Sequence, residues 1–433
     1  MRSSPDGFPI KPTAAKLKFS PTLAVNEQVA ALRKEGRPVY NLGFGQCPFP
    51  VHNVIKDALG ASADKNMYLP VAGLPELREA ALHYFSKKFQ FDPDLFTAII
   101  GPGSKELIYD VQLAVEGDLL HPVPSWVSYA PQAQLIRDQV IHINASVDSD
   151  YHISGQMLEN AIVQSRKTGK QPRKLILNYP NNPSGLSLTP EKMKEIAAIC
   201  RKYEILIISD EIYGLVDFRK THRSIAGFYP EGTVITTGLS KHLSLGGYRL
   251  GVAIVPRKES GLFNAICAIA SETFSSVASP VQFAALKAFE EQEDLETYIT
   301  ACTKMQSLAS NYFRRSLTEL GIHYPELNGS FYLYPDFQEF EPALNKIRQV
   351  YSSDDLVSDL LRKTGVATLP GSAFGEQSSV LRLRAALCDF DGGFAWQYFS
   401  QHPNADMDEF VSQCCPNIVM ACEQFVKYFQ QLS

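Results

Sequence analysis

The chain is predicted to be an α/β protein whose larger part is a mostly parallel sheet covered by helices. Three observations carry that expectation. Strand-like apolar runs alternate with amphipathic helical segments from Ala98 to Gly251. Several of those runs, among them Lys174–Asn178 and Ile205–Ile208, end in turns rich in Asn, Asp, Ser and Gly. A second αβ region opens at Asn328 after a long helical stretch. With 433 residues, 45% of them apolar and 20% charged, the chain has the material for two or three domains and a large core.

Composition narrows the class of partner. A formal charge of -5 gives no basis for nucleic acid or an anionic membrane as the main partner. The opening residues lack the apolar core of a secretory signal, and no run of about 18 apolar residues suggests a membrane-spanning helix. The eight cysteines are scattered without C-x-x-C spacing, so no metal site is expected. They read as reduced thiols of a cytoplasmic protein.

Taken in order, residues 1–25 read as an extended arm, and Asn26–Lys34 as a short amphipathic helix ended by Gly36 and Pro38. Val39–Gly45 is a strand entering a Gly/Pro-rich turn at Gln46–Pro50. Tyr68 precedes Gly73-Leu-Pro75-Glu-Leu-Arg78, where Pro75 starts a helix. Ala98–Ile100 is a strand, and Gly101-Pro-Gly103-Ser104-Lys105 turns directly into a helix. Free N–H groups and the helix dipole make such a turn an anion site, although many βα turns look alike. Trp126, flanked by prolines in Pro122-Val-Pro-Ser-Trp126-Val-Ser-Tyr129, would by itself be a core aromatic. The strand Lys174–Asn178 leads into the tight turn Tyr179-Pro-Asn181-Asn182-Pro183-Ser-Gly185. Thr189 and Pro190 start a helix running to about Tyr203. Asp210 closes the strand Ile205–Ile208 in Ser209-Asp210-Glu-Ile-Tyr213, a position where a plain turn residue is common. The β-run Thr233–Thr237 is followed by Gly238-Leu-Ser240-Lys241 and, eight residues past the lysine, Arg249. A long helix is expected over Leu295–Leu320 and another over Ser353–Lys363. Val380–Ala386 alternates as a strand, placing Arg382 and Arg384 on one side, usually an exposed one. No role follows for Asp389–Gln413.

A lysine and an arginine on a small-residue loop fit a solvated turn, but also an aldehyde cofactor carrying a phosphate. The whole stretch Gly238–Gly251 resembles the lysine-attachment signature of the class I/II pyridoxal 5'-phosphate (PLP)-dependent aminotransferases. Asn178-x-Pro-Asn-Asn182-Pro-x-Gly185 and Ser209-Asp-Glu-x-Tyr213 resemble two further segments of that family. The resemblance covers nearly the whole chain and is to the aspartate aminotransferase-like, fold-type I members. It implies residues 61–324 as a large PLP-binding domain. Residues 1–60 (an arm and part of the small domain) and 325–433 would pack together as the smaller one.

It also implies roles. Lys241 would attach the cofactor and then serve as general base, with Asp210 paired to the ring nitrogen and Trp126 stacked on the ring. Asn182 and Tyr213 would hydrogen-bond the phenolate oxygen. Gly103, Ser104, Lys105, Ser240 and Arg249 would lie on the phosphate side. Gly238 stands where many relatives carry a phosphate-binding serine, which shifts that task to Ser104, Ser240 and Arg249. Gly45 would let backbone approach the substrate carboxylate, which Arg382 would grip, with Arg384 as the alternative. Tyr68 would reach the cofactor of a neighbouring subunit, implying a homodimer with shared sites.

The implied reaction transfers an amino group between an L-amino acid and a 2-oxo acid by a ping-pong mechanism. Lys105, placed like the lysine that pairs with a distal carboxylate, points to a dicarboxylic amino acid such as aspartate with 2-oxoglutarate as acceptor. Alanine, aromatic or diaminopimelate-type substrates are the alternatives. A PLP-dependent C–S β-lyase would use the same lysine and aspartate and need no acceptor. A catalytically silent binding module would have no need to keep Asn182, Asp210, Tyr213, Lys241, Arg249 and Arg382 together.

Overall fold

The computed structural model describes residues 8, 10–17, 19–145 and 151–432. The strands are β1 (Tyr40–Asn41), β2 (Phe96–Gly101), β3 (Asp118–Val123), β4 (Val140–Asn144), β5 (Pro172–Asn178) and β6 (Leu206–Asp210). They continue as β7 (Thr233–Gly238), β8 (Gly251–Pro256), β9 (Tyr332–Leu333), β10 (Val366–Ala367), β11 (Leu369–Pro370) and β12 (Leu383–Ala386). Seven of them form one sheet in the order β2-β8-β7-β6-β5-β3-β4. Neighbours in it are parallel except where β8 lies antiparallel to both β2 and β7. The predicted mostly parallel α/β sheet is therefore present.

Helices on both faces explain the near-continuous apolar strands. Leu175, Leu177 and Ile207 join Leu158, Ile162 and Ile196 in one core layer. Ile176, Ile208 and Val234 join Leu107, Ile108 and Val111 in the other. The connecting helices begin where their sequences say they should. Pro190–Tyr203 has proline in its first turn, and the Thr189 hydroxyl accepts from the Lys192 N–H at 3.4 Å.

The two ends of the chain meet in a second unit. Tyr40–Asn41 pairs in parallel with Val366–Ala367, and β11, β12 and β9 form an antiparallel sheet. The long helix Glu293–Glu319 buries Leu295, Tyr298, Met305, Phe313 and Leu317. It packs against the helices Gly392–Gln401, Met407–Cys414 and Pro416–Gln430. One apolar core continues from the helix Pro75–Phe89 through this group.

Three local expectations need correction. The arm is not extended throughout: Pro12–Ala15 is a helical turn, and the next helix spans Pro21–Lys34, starting earlier than Asn26 because Pro21 suits a first turn. Residues 1–7 of that arm lie outside the described residues. The strand expected over Val380–Ala386 is shorter; Arg382 makes only an isolated bridge to Asp336. Neither arginine there is on an exposed face, since Arg382 is 7% and Arg384 1% exposed.

Candidate active site

Parallel strands bring their C-terminal ends to one edge of a sheet, where ligands of open α/β sheets bind. Here that edge gathers Asn178 from β5, Asp210 from β6, the loop after β7 with Lys241, and the turn after β2 with Ser104. A cavity of about 450 Å³ opens there. Its walls include Phe44, Gly45, Ser104, Lys105, Trp126, Asn182, Asp210, Tyr213, Ser240, Lys241 and Arg249, together with Tyr332 and Arg384.

Lys241 Nζ donates to the Gly45 carbonyl at 3.0 Å and lies 5.4 Å from the centre of the Tyr213 ring. The same tight turn explains Gly45, where a Cβ would overlap the Tyr332 hydroxyl. The Tyr213 and Tyr332 hydroxyls share a 2.9 Å hydrogen bond, and burial holds the Tyr213 phenol well above its usual pKa, helped by Tyr332. Asp210 is fully enclosed. Tyr129 donates to its Oδ2 at 2.6 Å and the Ile212 N–H to its Oδ1 at 3.3 Å. Burial nevertheless pushes its pKa up to about 6 against those two donors. A carboxylate left in that state at the end of a strand has a place for a cationic partner.

The opposite end of the cavity suits a phosphate. Gly103 has φ +99 and presses on the Arg249 guanidinium, where a Cβ would collide. Ser104 opens the helix Ser104–Ala114, and Gly251 lies so close that a Cβ on it would stand 2.5 Å from the Ser104 nitrogen. Arg249 is held by the Gly246 and Pro102 carbonyls at 2.8 and 3.2 Å, in a left-handed conformation at φ 52. Lys105 Nζ lies 5.0 Å over the Trp126 ring, and burial together with Arg249 lowers its pKa.

Arg384, not Arg382, reaches the cavity. Its Nη1 donates to Asn182 Oδ1 at 3.1 Å and its Nη2 to the Gly43 carbonyl at 2.6 Å, and its guanidinium stacks 4.5 Å over Tyr332. Among the described residues no carboxylate pairs with it. Arg382 is turned to other work: its Nε donates to Asp336 Oδ2 at 2.8 Å and its Nη1 to Glu376. Two carboxylates hold it away from the cavity, which corrects the assignment that the family resemblance implied and leaves its alternative, Arg384. Tyr68 is also away from the cavity, 93% exposed on the surface.

Sequence reasoning passed over Tyr129, Asn178 and Tyr332. Asn178 accepts the Asn182 N–H at 2.8 Å and donates to the Asp210 carbonyl at 2.8 Å, so it joins the two motifs. Tyr129 and Asn178 both sit inside segments already singled out, which was the available signal. Ser20, Thr22 and Leu23 also reach the cavity wall, which the reading of residues 1–25 as an arm did not foresee.

This arrangement has counterparts. The family model for aminotransferase class I and II matches residues 37–390. An aspartate aminotransferase from Bacillus sp. (strain YM-2) is 31% identical over 83% of this chain and 91% of its own. A probable aspartate/prephenate aminotransferase from Rickettsia conorii is 30% identical over 83% of this chain and 90% of its own. The structure of Thermus thermophilus aspartate aminotransferase with maleate superposes with a TM-score of 0.82, covering 97% of this chain and 100% of that one at 23% identity. The lysine, asparagine and aspartate converging on one sheet edge, in a fold shared over nearly its full length, belong to a chain that is a member of the class I and II aminotransferases.

Proposed function

We propose that the cavity binds pyridoxal 5'-phosphate. We propose further that the enzyme passes an amino group from an L-amino acid to a 2-oxo acid, the two substrates using one site in turn. The observation that carries this reading is the pairing of Lys241 with a buried, carboxylate-free Arg384 in one cavity. The cofactor, when bound, supplies an electron sink for the substrate α-carbon and a carrier for the amino group. Asp210 would pair with its protonated ring nitrogen, and that cation relieves the burial that raises the carboxyl to about 6. Trp126 would cover the ring, and Asn182 and Tyr213 would face its phenolate oxygen. Gly103, Ser104, Ser240 and Arg249 would hold the phosphate.

Lys241 would hold the cofactor through Nζ, and the same amine, when free, would serve as general base toward the substrate α-carbon proton. Arg384 grips the substrate α-carboxylate, while Gly45 lets backbone lie close to it. Asn182 keeps its amide N–H₂ free to donate because its oxygen already accepts from Arg384. Lys105 supports a dicarboxylic substrate such as aspartate, with 2-oxoglutarate as acceptor. So do the Bacillus relative's name and the maleate, a dicarboxylate, bound to the Thermus enzyme.

Tyr68, fully exposed beside the exposed Met67, supports a homodimer in which it reaches the partner's cofactor. Eight free cysteines support a reducing, cytoplasmic setting. Among the described residues no helix is long and apolar enough to cross a membrane.

An absorbance spectrum tests the reading. Protein supplied with PLP is expected to show a Schiff-base band that is absent in Lys241→Ala and that aspartate converts to the pyridoxamine form. Conversion by alanine or phenylalanine alone would remove the dicarboxylate preference. Product from cystathionine without any oxo-acid acceptor would establish a lyase instead, and no band at all would leave a silent module.

A further inference from the structure

The segment Asp389–Gln413 had no role in the sequence, and the family match ends at residue 390, just as it begins. It folds into the helices Gly392–Gln401 and Met407–Cys414. The first of these and the residues leading into it lie against the outer side of the 41–50 loop. Asp389 Oδ2 accepts the Asn41 N–H at 2.7 Å and Arg33 Nη2 at 3.1 Å. Cys388 Sγ donates to the Phe44 carbonyl at 3.4 Å, and the Phe390 ring meets Phe49 edge-on at 5.8 Å. Gly392 is seated so tightly on Pro48 that a Cβ would overlap the Pro48 carbonyl and stand 2.6 Å from the Phe49 nitrogen. Trp396 packs on Tyr298 at 5.0 Å. The Tyr298 hydroxyl donates to the Pro50 carbonyl at 2.8 Å and lies 3.5 Å from Ser244 Oγ, three residues beyond Lys241.

The inner side of the same loop faces the cavity and supplies one carbonyl to each of its two central cations: Gly43 to Arg384 and Gly45 to Lys241. We propose that Asp389–Trp396 is a positioning segment for the reaction. It clamps the 41–50 loop from outside, and the loop in turn fixes Arg384 and Lys241. The physical basis is that backbone carbonyls orient a cation only as well as their own backbone is held. A displacement of about 1 Å far from the chemistry can cost on the order of a hundredfold in rate. This inference rests on the reading of the cavity as the amino-acid site.

The test combines amide hydrogen exchange of residues 40–52, in protein without added cofactor, with kcat and KM of the loaded enzyme. Gly392→Ala and Trp396→Ala are expected to speed exchange across the loop about tenfold and to raise KM for the amino acid by about tenfold, kcat falling less. Trp396→Phe should restore both to within about twofold, since a ring still meets Tyr298. Phe394→Ala, on the exposed side of the same helix, should change neither. Unchanged exchange in folded Gly392→Ala and Trp396→Ala proteins overturns the clamp, and faster exchange with unchanged kinetics overturns its role in positioning. Should Gly392→Ala not fold, the Trp396 pair decides alone. Exchange that responds while the wild type fails to transaminate supports the clamp and overturns the reading of the cavity beneath it.

Discussion

Arg382 and Arg384 leave the same short segment two residues apart, both buried, into opposite electrostatic surroundings. Around Arg382 the charge is closed: Asp336 and Glu376 take its donors, and Tyr334 donates to the second Glu376 oxygen at 2.6 Å. Around Arg384 the charge is open: an amide oxygen, a backbone carbonyl and two aromatic faces surround it, and its Nε has no partner among the described residues. A buried cation with its counter-ions built in serves the fold. One without them loses hydration that an anionic ligand can replace. The difference teaches that, of two similar arginines, the electrostatically unfinished one marks the binding site.

The comparison can be broken in two ways. Arg384→Gln is expected to lower kcat/KM for the amino acid on the order of a thousandfold, as removal of one side of a buried charge pair does, with little loss of thermal stability. A steady-state assay and a melting curve on one preparation check both halves. Arg382→Met should do the reverse. Leaving Asp336 and Glu376 unpaired should cost roughly 3–5 kcal/mol in urea unfolding. The folded fraction should keep kcat/KM within about threefold, the size of change expected when no transition-state contact is lost. If Arg382→Met proves the inactive variant and Arg384→Gln the unstable one, the assignment is inverted.

The smallest expected effect concerns Asp210 in protein without cofactor. Its pKa in the folded protein, about 6, stands above the 3.8 of a free aspartate side chain. The folded form therefore holds its proton longer, and this contribution to stability is full below the lower value and lost as pH rises through the upper one. Asp210→Asn should flatten that decline between pH 4 and 6.5, by at most about 3 kcal/mol at neutral pH. A pH series of unfolding free energies on both proteins checks it. With cofactor bound the preference should reverse, because the ring cation then stabilises the carboxylate.

Much of the site was legible because its chemistry lies in local segments: Asp210 ends a strand, and Lys241, Asn182 and Tyr213 each sit in the loop just after one. The sheet was legible for the same reason, since both faces of β5 and β6 are covered and the apolar runs are unbroken. What could not be read depends on distant partners. Alternation puts Arg382 and Arg384 on one side, and only Asp336, 46 residues upstream, and Glu376 decide which of them is occupied. Tyr332 carries no local signal, because what distinguishes it is a hydroxyl that meets Tyr213, 119 residues away. The helix from Pro21 lies partly in the stretch read as an extended arm, although proline sits in its first turn.

The antiparallel strand β8 has a consequence for how the molecule comes together. Because β7 and β8 form a hairpin-like return, no crossover helix is needed between them, and Lys241 and Arg249 share the single loop 239–250. Part of that half of the site closes locally, with Arg249 Nη1 donating to the Gly246 carbonyl, while Lys241 reaches back to Gly45 and Arg249 to Pro102, both earlier in the chain. The substrate half waits on Asn182 meeting Arg384, 202 residues away, and on Arg33 meeting Asp389, 356 residues away. On the proposed reading, Ser104, Asp210, Lys241 and Arg249 all precede Arg384, so a growing chain would have the residues to hold a cofactor before it has the arginine to recognise a substrate.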